Sequence, residues 1–410
     1  MNKLLAAALF SAGLLGAAPV ALAQLQPVAP RPAQPAAPMR TITIGFLEIE
    51  GDSRYQPVRG FDRYVLKDPD HPFPGAQVSI DDSVALRRTA NAEFKLERIS
   101  VKSAEETQGA LTDAMARGIQ FMLVDLPAPA YKALALAAKG KDVLLFNVSS
   151  PEDTLRRDLC AAEFVHVYPS RAQLMDGLVQ MLVFKKWRDY LVLQGQEPED
   201  EEITKAFLRS AQKFGARVVA HKIFETGSDP RKRELNNPAL LSAINRDWDV
   251  TFVADKNFEF ARQAPYQTVR PRPVVGAIDL EPAAWHWTWG FNGAPQVNGR
   301  FDRLTKGRKM EGPDWAAWLA VKMVVQSTVR TRGGDFKAQR EFILKTGTFD
   351  GDKGLATSVR AWDHQVRQGV LLTAPYQVVA DAPFPGFLHR TNDLDSLGDD
   401  ESDSPCRLNR

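Results

Sequence analysis

Residues 121–148 read FMLVDLPAPAYKALALAAKGKDVLLFNV, and this stretch decides the fold. Two apolar runs, Phe121–Asp125 and Val143–Val148, flank an alanine-rich segment from Ala128 to Lys139. The short apolar runs predict buried strands, and the longer segment between them predicts a helix. Strands that are apolar at nearly every position are typical of a parallel sheet with both faces covered. We therefore expect an α/β fold built from strand–helix–strand units.

The alternation of predicted strands and helices extends in both directions from this unit. Upstream, the sequence predicts strands over 41–47 and 94–101 and a helix over 104–117. Downstream the pattern starts again, with helices over 172–186, 199–214 and 237–246 and strands over 190–193, 217–224 and 250–254. A helix over 315–330 and a C-terminal hairpin follow. Such a repeated series of units indicates two α/β lobes.

We expect each lobe to be a mainly parallel sheet covered by helices. Lobe 1 is predicted over 41–162 with about 280–345, and lobe 2 over 163–279 with about 346–390. An acidic tail, 391–410, completes the chain. Parallel sheets bind ligands at the carboxyl ends of their strands, so the ligand site is expected in the cleft between the lobes.

The first 23 residues have the order of regions found in secretory signal peptides. A basic start is followed by the apolar run Leu4–Ala18 and by Ala21-Leu-Ala23, a small-x-small cleavage site. We expect cleavage between Ala23 and Gln24, a Pro/Ala-rich linker over 24–40, and a periplasmic protein. The alternative is an uncleaved N-terminal helix.

The charges of the chain nearly balance, with 52 Lys and Arg against 50 Asp and Glu. This balance argues against nucleic acid as a partner, since there is no basic excess to neutralise phosphates. After the signal peptide no apolar stretch is long enough to cross a bilayer, so no membrane insertion is expected. We also expect a monomer.

The chain has two cysteines, Cys160 and Cys406. In an oxidising compartment an even count favours a disulfide, which here would tie the tail to the end of the first lobe. Two free thiols are the alternative, because the sequence does not show the separation of the two residues in space.

Catalytic and cofactor motifs are absent from the sequence. There is no G-x-S-x-G, H-E-x-x-H or G-x-x-x-x-G-K-[ST] motif, and no G-x-G-x-x-G follows a predicted strand. No two of the six histidines share a helix at the spacing of metal ligands. We therefore predict a non-enzymatic protein with no catalytic residues, no cofactor and no metal.

Polar residues at strand ends are the candidate ligand contacts. Asp125 ends one predicted strand, and Ser149 and Ser150 form a polar turn after the next. Such a turn suits a carboxylate or another anion, although one serine could simply cap the following helix. Asp255 ends the corresponding strand of lobe 2, with an ordinary polar loop as the alternative. Trp287 belongs to an aromatic cluster that either lines the ligand or packs between lobes.

The C-terminal tail is rich in carboxylates. We expect a solvated extension, because such acidic runs are usually solvated. The alternative is a calcium or lanthanide site, since these cations prefer oxygen ligands. That site would use Asp393, Asp395, Asp399, Asp400 and Glu401.

Several stretches between Thr41 and about Pro375 match one known family. They are Ile42–Leu47, the Ser149–Ser150 turn, Phe164–Ser170, Phe207–Arg217 and Phe349–Gly354. Here the chain resembles the type I periplasmic substrate-binding proteins of ABC transporters, in the branched-chain amino acid-binding class.

A narrower resemblance covers nearly the whole predicted mature chain. It rests on Leu155–Arg156, Cys160, Tyr266–Val274, Arg300–Phe301, Trp315–Trp318, Arg360–Asp363, Arg367–Gln368, Phe387–His389, Leu394–Gly398 and Cys406. These look like the presumed binding protein associated with pyrroloquinoline-quinone-dependent alcohol oxidation systems. Relatives in that group are also linked to lanthanide utilisation.

The resemblance implies a solute-binding component of an ABC transporter that captures a small ligand by lobe closure and delivers it to a permease. It also implies a link to quinone-dependent alcohol catabolism, with a quinoprotein dehydrogenase as a further partner. An accessory or sensor protein docking on that dehydrogenase, or a lanthanide-related binding protein, is the alternative.

In amino-acid-binding relatives the serine turn and an acid of the second lobe hold the ligand's carboxylate and amine. The residues here that match those positions are Ser149, Ser150 and Asp255. The usual glycine-rich opening is replaced by Phe46–Asp52, which argues against an amino-acid ligand.

Overall fold

The computed structural model describes residues 39–60, 64–226 and 230–409. The predicted signal peptide, 1–23, and the predicted linker up to residue 38 lie outside the described residues. Within the described part of the chain, no helix combines the length and the apolar character needed to cross a membrane.

Strands and helices follow one another along the chain in mixed α/β order. The strands are β1 Arg40–Ile49, β2 Val58–Gly60, β3 Tyr64–Lys67, β4 Ala92–Val101, β5 Phe121–Asp125, β6 Leu144–Asn147, β7 Phe164–His166, β8 Asp189–Gln194, β9 Arg217–Ile223, β10 Val250–Ala254, β11 Val274–Gly276, β12 Glu281–Ala283, β13 Phe349–Asp350, β14 Ala356–Val359, β15 Val366–Arg367, β16 Val370–Ala374 and β17 Gln377–Ala382. The α-helices are α1 Phe73–Ser83, α2 Arg87–Ala90, α3 Thr107–Ala116, α4 Ala128–Ala138, α5 Arg171–Phe184, α6 Pro198–Lys213, α7 Arg233–Asn236, α8 Pro238–Ser242, α9 Ala264–Gln267, α10 Ala294–Leu304, α11 Gly312–Arg330 and α12 Phe336–Glu341. Short 3₁₀ turns lie at 53–55, 84–86, 104–106, 230–232 and 393–396, and π-helical turns at 155–159 and 342–346.

The first sheet contains the stretch that decides the fold. Its strand order is β4-β1-β5-β6-β7, and all neighbours are parallel. Helices α3 and α4 cover one face, while α1, α10 and α11 cover the other. Strands covered on both faces must be apolar throughout, and all five residues of β5 are buried. The predicted parallel α/β architecture is confirmed.

The second sheet repeats this arrangement with the order β11-β10-β8-β9, again fully parallel. Helices α5 and α6 pack on one face. The helix predicted over 237–246 is wrong in its length, because α8 ends at Ser242. There the hydroxyl of Ser242 donates to the carbonyl of Pro238 at 2.6 Å and accepts the N–H of Val269 at 3.0 Å, which ties the helix end to a distant loop.

Antiparallel strands join the two parallel sheets. The predicted C-terminal hairpin is β16–β17, which pairs with β12 and packs on α5. Helix α5 begins with a reciprocal cap, in which the Ser170 hydroxyl accepts the N–H of Gln173 and the Gln173 side chain accepts the N–H of Ser170. Since α5 lies between β16–β17 and the second sheet, most of its residues are buried.

Cys160 and Cys406 form a disulfide with a Cα–Cα distance of 5.4 Å, which confirms the predicted pairing. The prediction of a solvated tail is wrong for residues 394–399. Leu394 and Leu397 are 3% and 0% exposed, and Asp395 binds two arginines. Arginine side chains from other parts of the sequence bind the acidic residues of the tail. The pattern of charges along the tail does not reveal these partners.

The alternative metal site in the tail is not assembled within the described residues. Its five acidic residues form no group of converging ligand atoms. Arg360 and Arg367 pair with Asp395, and Arg157 and Arg209 pair with Asp399. Those carboxylates form ion pairs that hold the tail in place, and they do not converge on a common centre.

Candidate ligand-binding site

Three neighbouring strands of the first sheet end in polar side chains at one edge. Glu48 near the end of β1 lies opposite Asp125 in the parallel register, and Asn147 ends β6 beside them. The three residues are 2%, 0% and 0% exposed. This is the carboxyl edge of the sheet, where ligand sites of parallel sheets form.

Asp125 is the centre of this edge. Its Oδ1 accepts hydrogen bonds from the hydroxyls of Tyr55 and Ser149, both at 2.6 Å, and from Arg54 at 3.1 Å. Its Oδ2 lies 2.6 Å from Nδ1 of His71. Burial alone would raise the pKa of Asp125, but the contacts with His71 and Arg54 hold it below its ordinary value. The side chain is therefore a carboxylate. We call Glu48, Arg54, Tyr55, His71, Asp125 and Ser149 the Asp125 corner.

The serine turn is organised by Asn147. Its side-chain oxygen accepts the N–H of Ser150 at 2.9 Å, and its amide donates to the carbonyl of Ser150 at 2.8 Å. The hydroxyl of Ser149 contacts Asp125, while the hydroxyl of Ser150 binds Glu152. The alternative that one serine caps the next helix is wrong, because the helical turn Leu155–Leu159 has no side-chain cap.

Asp52, Arg54, Tyr55 and His71 supply the part of the site that the sequence did not predict. Asp52 holds the guanidinium of Arg54 through two hydrogen bonds, at 2.9 and 2.8 Å, and so aims it at Asp125. The rings of Tyr55 and His71 lie against each other, with centroids 4.1 Å apart. The unusual stretch Phe46–Asp52 marked this region of the sequence, but no pattern indicated which side chains would reach Asp125.

Asp255 is buried at the end of β10, 2% exposed. Its carboxylate accepts the N–H groups of Asn257, Phe260 and Ala261 at 3.2, 2.9 and 2.8 Å. Burial raises the pKa of Asp255 against the effect of these hydrogen bonds. The structure gives this side chain the role of shaping its own loop, and a ligand contact by Asp255 stays a prediction.

The tryptophan cluster divides into packing residues and one partly exposed residue. Trp285 and Trp289 are 2% and 9% exposed, and Trp285 stacks on Trp315. Trp287 is partly exposed, with Nζ of Lys309 5.5 Å from its ring centroid. Its ring contacts lie outside the Asp125 corner, so its role in ligand binding also stays a prediction.

A chain of ion pairs joins the carboxyl edges of the two sheets. Arg171 at the start of α5 pairs with Glu152 at 3.2 Å and approaches Glu199 at 3.7 Å. Glu199 lies at the start of α6 and pairs with Lys256, which follows β10, at 2.9 Å. These ion pairs link the carboxyl edges of the two sheets, and Glu152 places one end of the chain of ion pairs beside the serine turn.

Several solved structures of periplasmic binding proteins have the same architecture. A periplasmic ligand-binding protein of a branched-chain amino acid ABC transporter from Burkholderia xenovorans LB400 matches with a TM-score of 0.67 at 13% identity, over 90% of this chain and 100% of that chain. A leucine-, isoleucine-, valine-, threonine- and alanine-binding protein from Brucella ovis, in its closed conformation, matches with a TM-score of 0.61 at 12% identity, over 84% and 94%.

A third match is a solute-binding protein of an ABC transporter from R. palustris in complex with benzoate, with a TM-score of 0.59 at 10% identity over 89% of this chain and 99% of that chain. No protein-family model and no curated protein matches the sequence. At these identities the likeness establishes the fold, which is that of the two-lobed type I periplasmic binding proteins.

Proposed function

We propose that this protein is the periplasmic solute-binding component of an ABC transporter, which captures a small ligand between its lobes. The observation that carries the proposal is the chain of ion pairs Glu152, Arg171, Glu199 and Lys256, which brings the carboxyl edges of the two sheets together. Lobe closure on a ligand requires that the proposed site bind the ligand better when closed. The same fold serves transport in the structural neighbours.

The side chains at the cleft favour an anionic ligand over an amino acid. The side chains of Arg54 and His71 are 26% and 13% exposed, and Arg54 contacts Ser149, so a ligand at the serine turn could reach a guanidinium and an imidazole. The carboxylates of Asp125 and Asp255, which could bind an amine, already accept hydrogen bonds from the protein. A small carboxylate made by alcohol oxidation fits this chemistry and the resemblance to proteins of quinone-dependent alcohol oxidation. The benzoate complex of the R. palustris protein shows that the fold accommodates a carboxylate.

Thermal shift across small carboxylates, amino acids and alcohols tests the proposal, because a ligand at a hundredfold its dissociation constant adds about 2.7 kcal/mol of stability. Small-angle scattering with the ligand identified should show compaction. We expect the bound anion to take the place of Glu152 on the Ser150 hydroxyl, so Ser150→Ala should weaken its binding about tenfold or more, since a hydrogen bond to a charged group contributes roughly 1.5–3 kcal/mol. Ser402→Ala, at an exposed serine, is the matched control. A screen without any stabilising ligand, or a ligand that binds without compaction, would contradict the proposal.

A second candidate is an accessory protein that docks on a quinoprotein dehydrogenase and needs no small ligand. The observation that favours it is that Arg54, Tyr55 and His71 already satisfy Asp125, so the corner is stable when it holds only its own side chains. Co-purification of the ligand-free protein with the dehydrogenase, undiminished by Ser150→Ala, would support this role. Retention of the permease alone would support transport.

A further inference from the structure

The Asp125 corner brings together one imidazole and two carboxylates from separate parts of the chain. Nδ1 of His71 lies 2.6 Å from Oδ2 of Asp125 and 3.5 Å from Oε2 of Glu48. The three ligand atoms lie within 4.8 Å of one another. Glu48 and Asp125 are fixed on adjacent strands in parallel register, so their separation is set by the sheet.

Most hydrogen bonds from the protein reach one oxygen of each carboxylate, and the other oxygen of each is the one nearer His71. Oδ1 of Asp125 accepts from Tyr55, Ser149 and Arg54, which leaves Oδ2 to His71 alone. Oε1 of Glu48 accepts from Arg98 Nε at 2.6 Å and from the Ser100 hydroxyl at 2.8 Å. Oε2 of Glu48 has one longer contact, with Arg98 Nη2 at 3.1 Å.

We propose that Glu48, His71 and Asp125 form a site for a first-row divalent cation of the Zn²⁺ class. One imidazole nitrogen and two carboxylate oxygens are ligands that Zn²⁺ accepts, and three protein ligands leave a fourth position for water or for an oxygen of a bound anion. Donors on the non-ligating oxygen orient ligating carboxylates in metal sites, and Tyr55, Ser149 and Ser100 act here in that way.

The charges of the corner are compatible with a cation. Arg54 is paired with Asp52 as well as with Asp125, so its charge is balanced without the ligating oxygen. Arg98 is 46% exposed on its side chain and is screened by solvent. A divalent ion bound by Nδ1, Oδ2 and Oε2 would replace the proton of the hydrogen bond between His71 and Asp125, which is released to solvent, and these two side chains would move apart to admit it. The ion adds positive charge where two carboxylates converge. It would also fasten the segment around His71 to the first sheet, which is independent of any transport role.

Equilibrium dialysis of the full chain with Zn²⁺ after EDTA treatment tests the site, with bound metal measured by elemental analysis. We expect one ion per chain, loss of binding in His71→Ala, and a reduction of about 10–100-fold in affinity for Tyr55→Phe, which removes one orienting donor. His221→Ala, at an exposed histidine, should bind as the unchanged protein does. Ca²⁺ should not compete, because it prefers six to eight oxygen ligands.

Two outcomes would overturn the proposal: less than one Zn²⁺ per chain, or unchanged affinity in a folded His71→Ala variant. If that variant does not fold, Glu48→Gln and the Co²⁺ absorption spectrum of the unchanged protein decide the question. A Co²⁺ spectrum without the bands of tetrahedral nitrogen and oxygen ligation would contradict the proposed metal site. A Zn²⁺ affinity of Glu48→Gln equal to that of the unchanged protein would contradict it as well. These measurements use no transported ligand, so their failure is distinct from failure of the proposed function.

Discussion

Replacing Asp395 with Asn should strongly destabilise the packing of the C-terminal tail. Oδ1 of Asp395 accepts Nε–H of Arg360 at 2.8 Å and Nε–H of Arg367 at 2.8 Å. The side chains of Arg360 and Asp395 are 1% and 3% exposed. After the substitution, water therefore cannot solvate the positive charge of Arg360 in place of the lost carboxylate. Asn keeps the volume of the side chain, and the change therefore isolates the ion pair.

Breaking a buried ion pair by removing one partner costs about 3–5 kcal/mol, because the other charge stays buried without compensation. Here Arg360 keeps hydrogen bonds to the carbonyls of Leu394 and Leu397, so we expect the lower value, about 3 kcal/mol. Urea unfolding followed by tryptophan fluorescence measures this difference, and Trp362 lies close to Arg360 as a reporter.

Asp393→Ala is the matched control, because Asp393 is exposed two positions away and should change stability by less than about 0.5 kcal/mol. In the Asp395→Asn background, Arg367→Gln should cost less than it does alone, because the two side chains interact. A cost below about 1 kcal/mol for Asp395→Asn, or one equal to that of the control, would refute the reasoning.

Two further predictions concern the disulfide and a partly buried glutamate. Replacing Cys160 and Cys406 together by Ser should lower the free energy of unfolding by about 3–5 kcal/mol, since the bridge closes a separation of 246 residues. Equal urea midpoints for the unchanged protein with and without reductant would contradict this. Burial raises the pKa of Glu281 to about 7, so its ionisation removes folded-state stability as pH rises from its ordinary pKa to about 7. Glu281→Gln should therefore match the unchanged protein near pH 4.5 and exceed its stability above pH 7 by about 1 kcal/mol, after allowance for partial exposure. Exposed Glu50→Gln is the control, and a gain of equal size at both pH values would count against the buried carboxylate as its cause.

The two parallel sheets could be predicted from the sequence because their strands are short apolar runs bounded by polar residues. The prediction for Phe121–Asp125 matches β5 at both ends. Helix α1 and the strands β2 and β3 were not predicted, because residues 50–83 lack a clear hydrophobic period. The position of α1 depends on its packing against α11, while β2 and β3 pair with each other. The buried tail was missed for a related reason, since its partner Arg360 is a sequence-distant residue.

Part of the candidate site followed from the rule that parallel sheets bind ligands at their carboxyl edges. That rule selected Asp125 and the serine turn, and the structure brings Asp125 and Ser149 together. It could not select Arg54, Tyr55 or His71, because these come from a connecting segment whose path no local pattern predicts. When loop side chains complete a site at the ends of strands, their identity can be read only from the folded structure.

The position of Arg54 limits how a ligand can use the Asp125 corner. A neutral ligand that displaced Arg54 would leave buried Asp125 without its arginine, and removing one partner of a buried ion pair costs about 3–5 kcal/mol. A neutral hydrogen bond returns only about 0.5–1.5 kcal/mol, so displacement would be unfavourable. An anion can instead bind the exposed part of the guanidinium while Arg54 keeps its contacts with Asp52 and Asp125. The proposed ligand is therefore expected to be an anion that adds to the existing contacts of the corner.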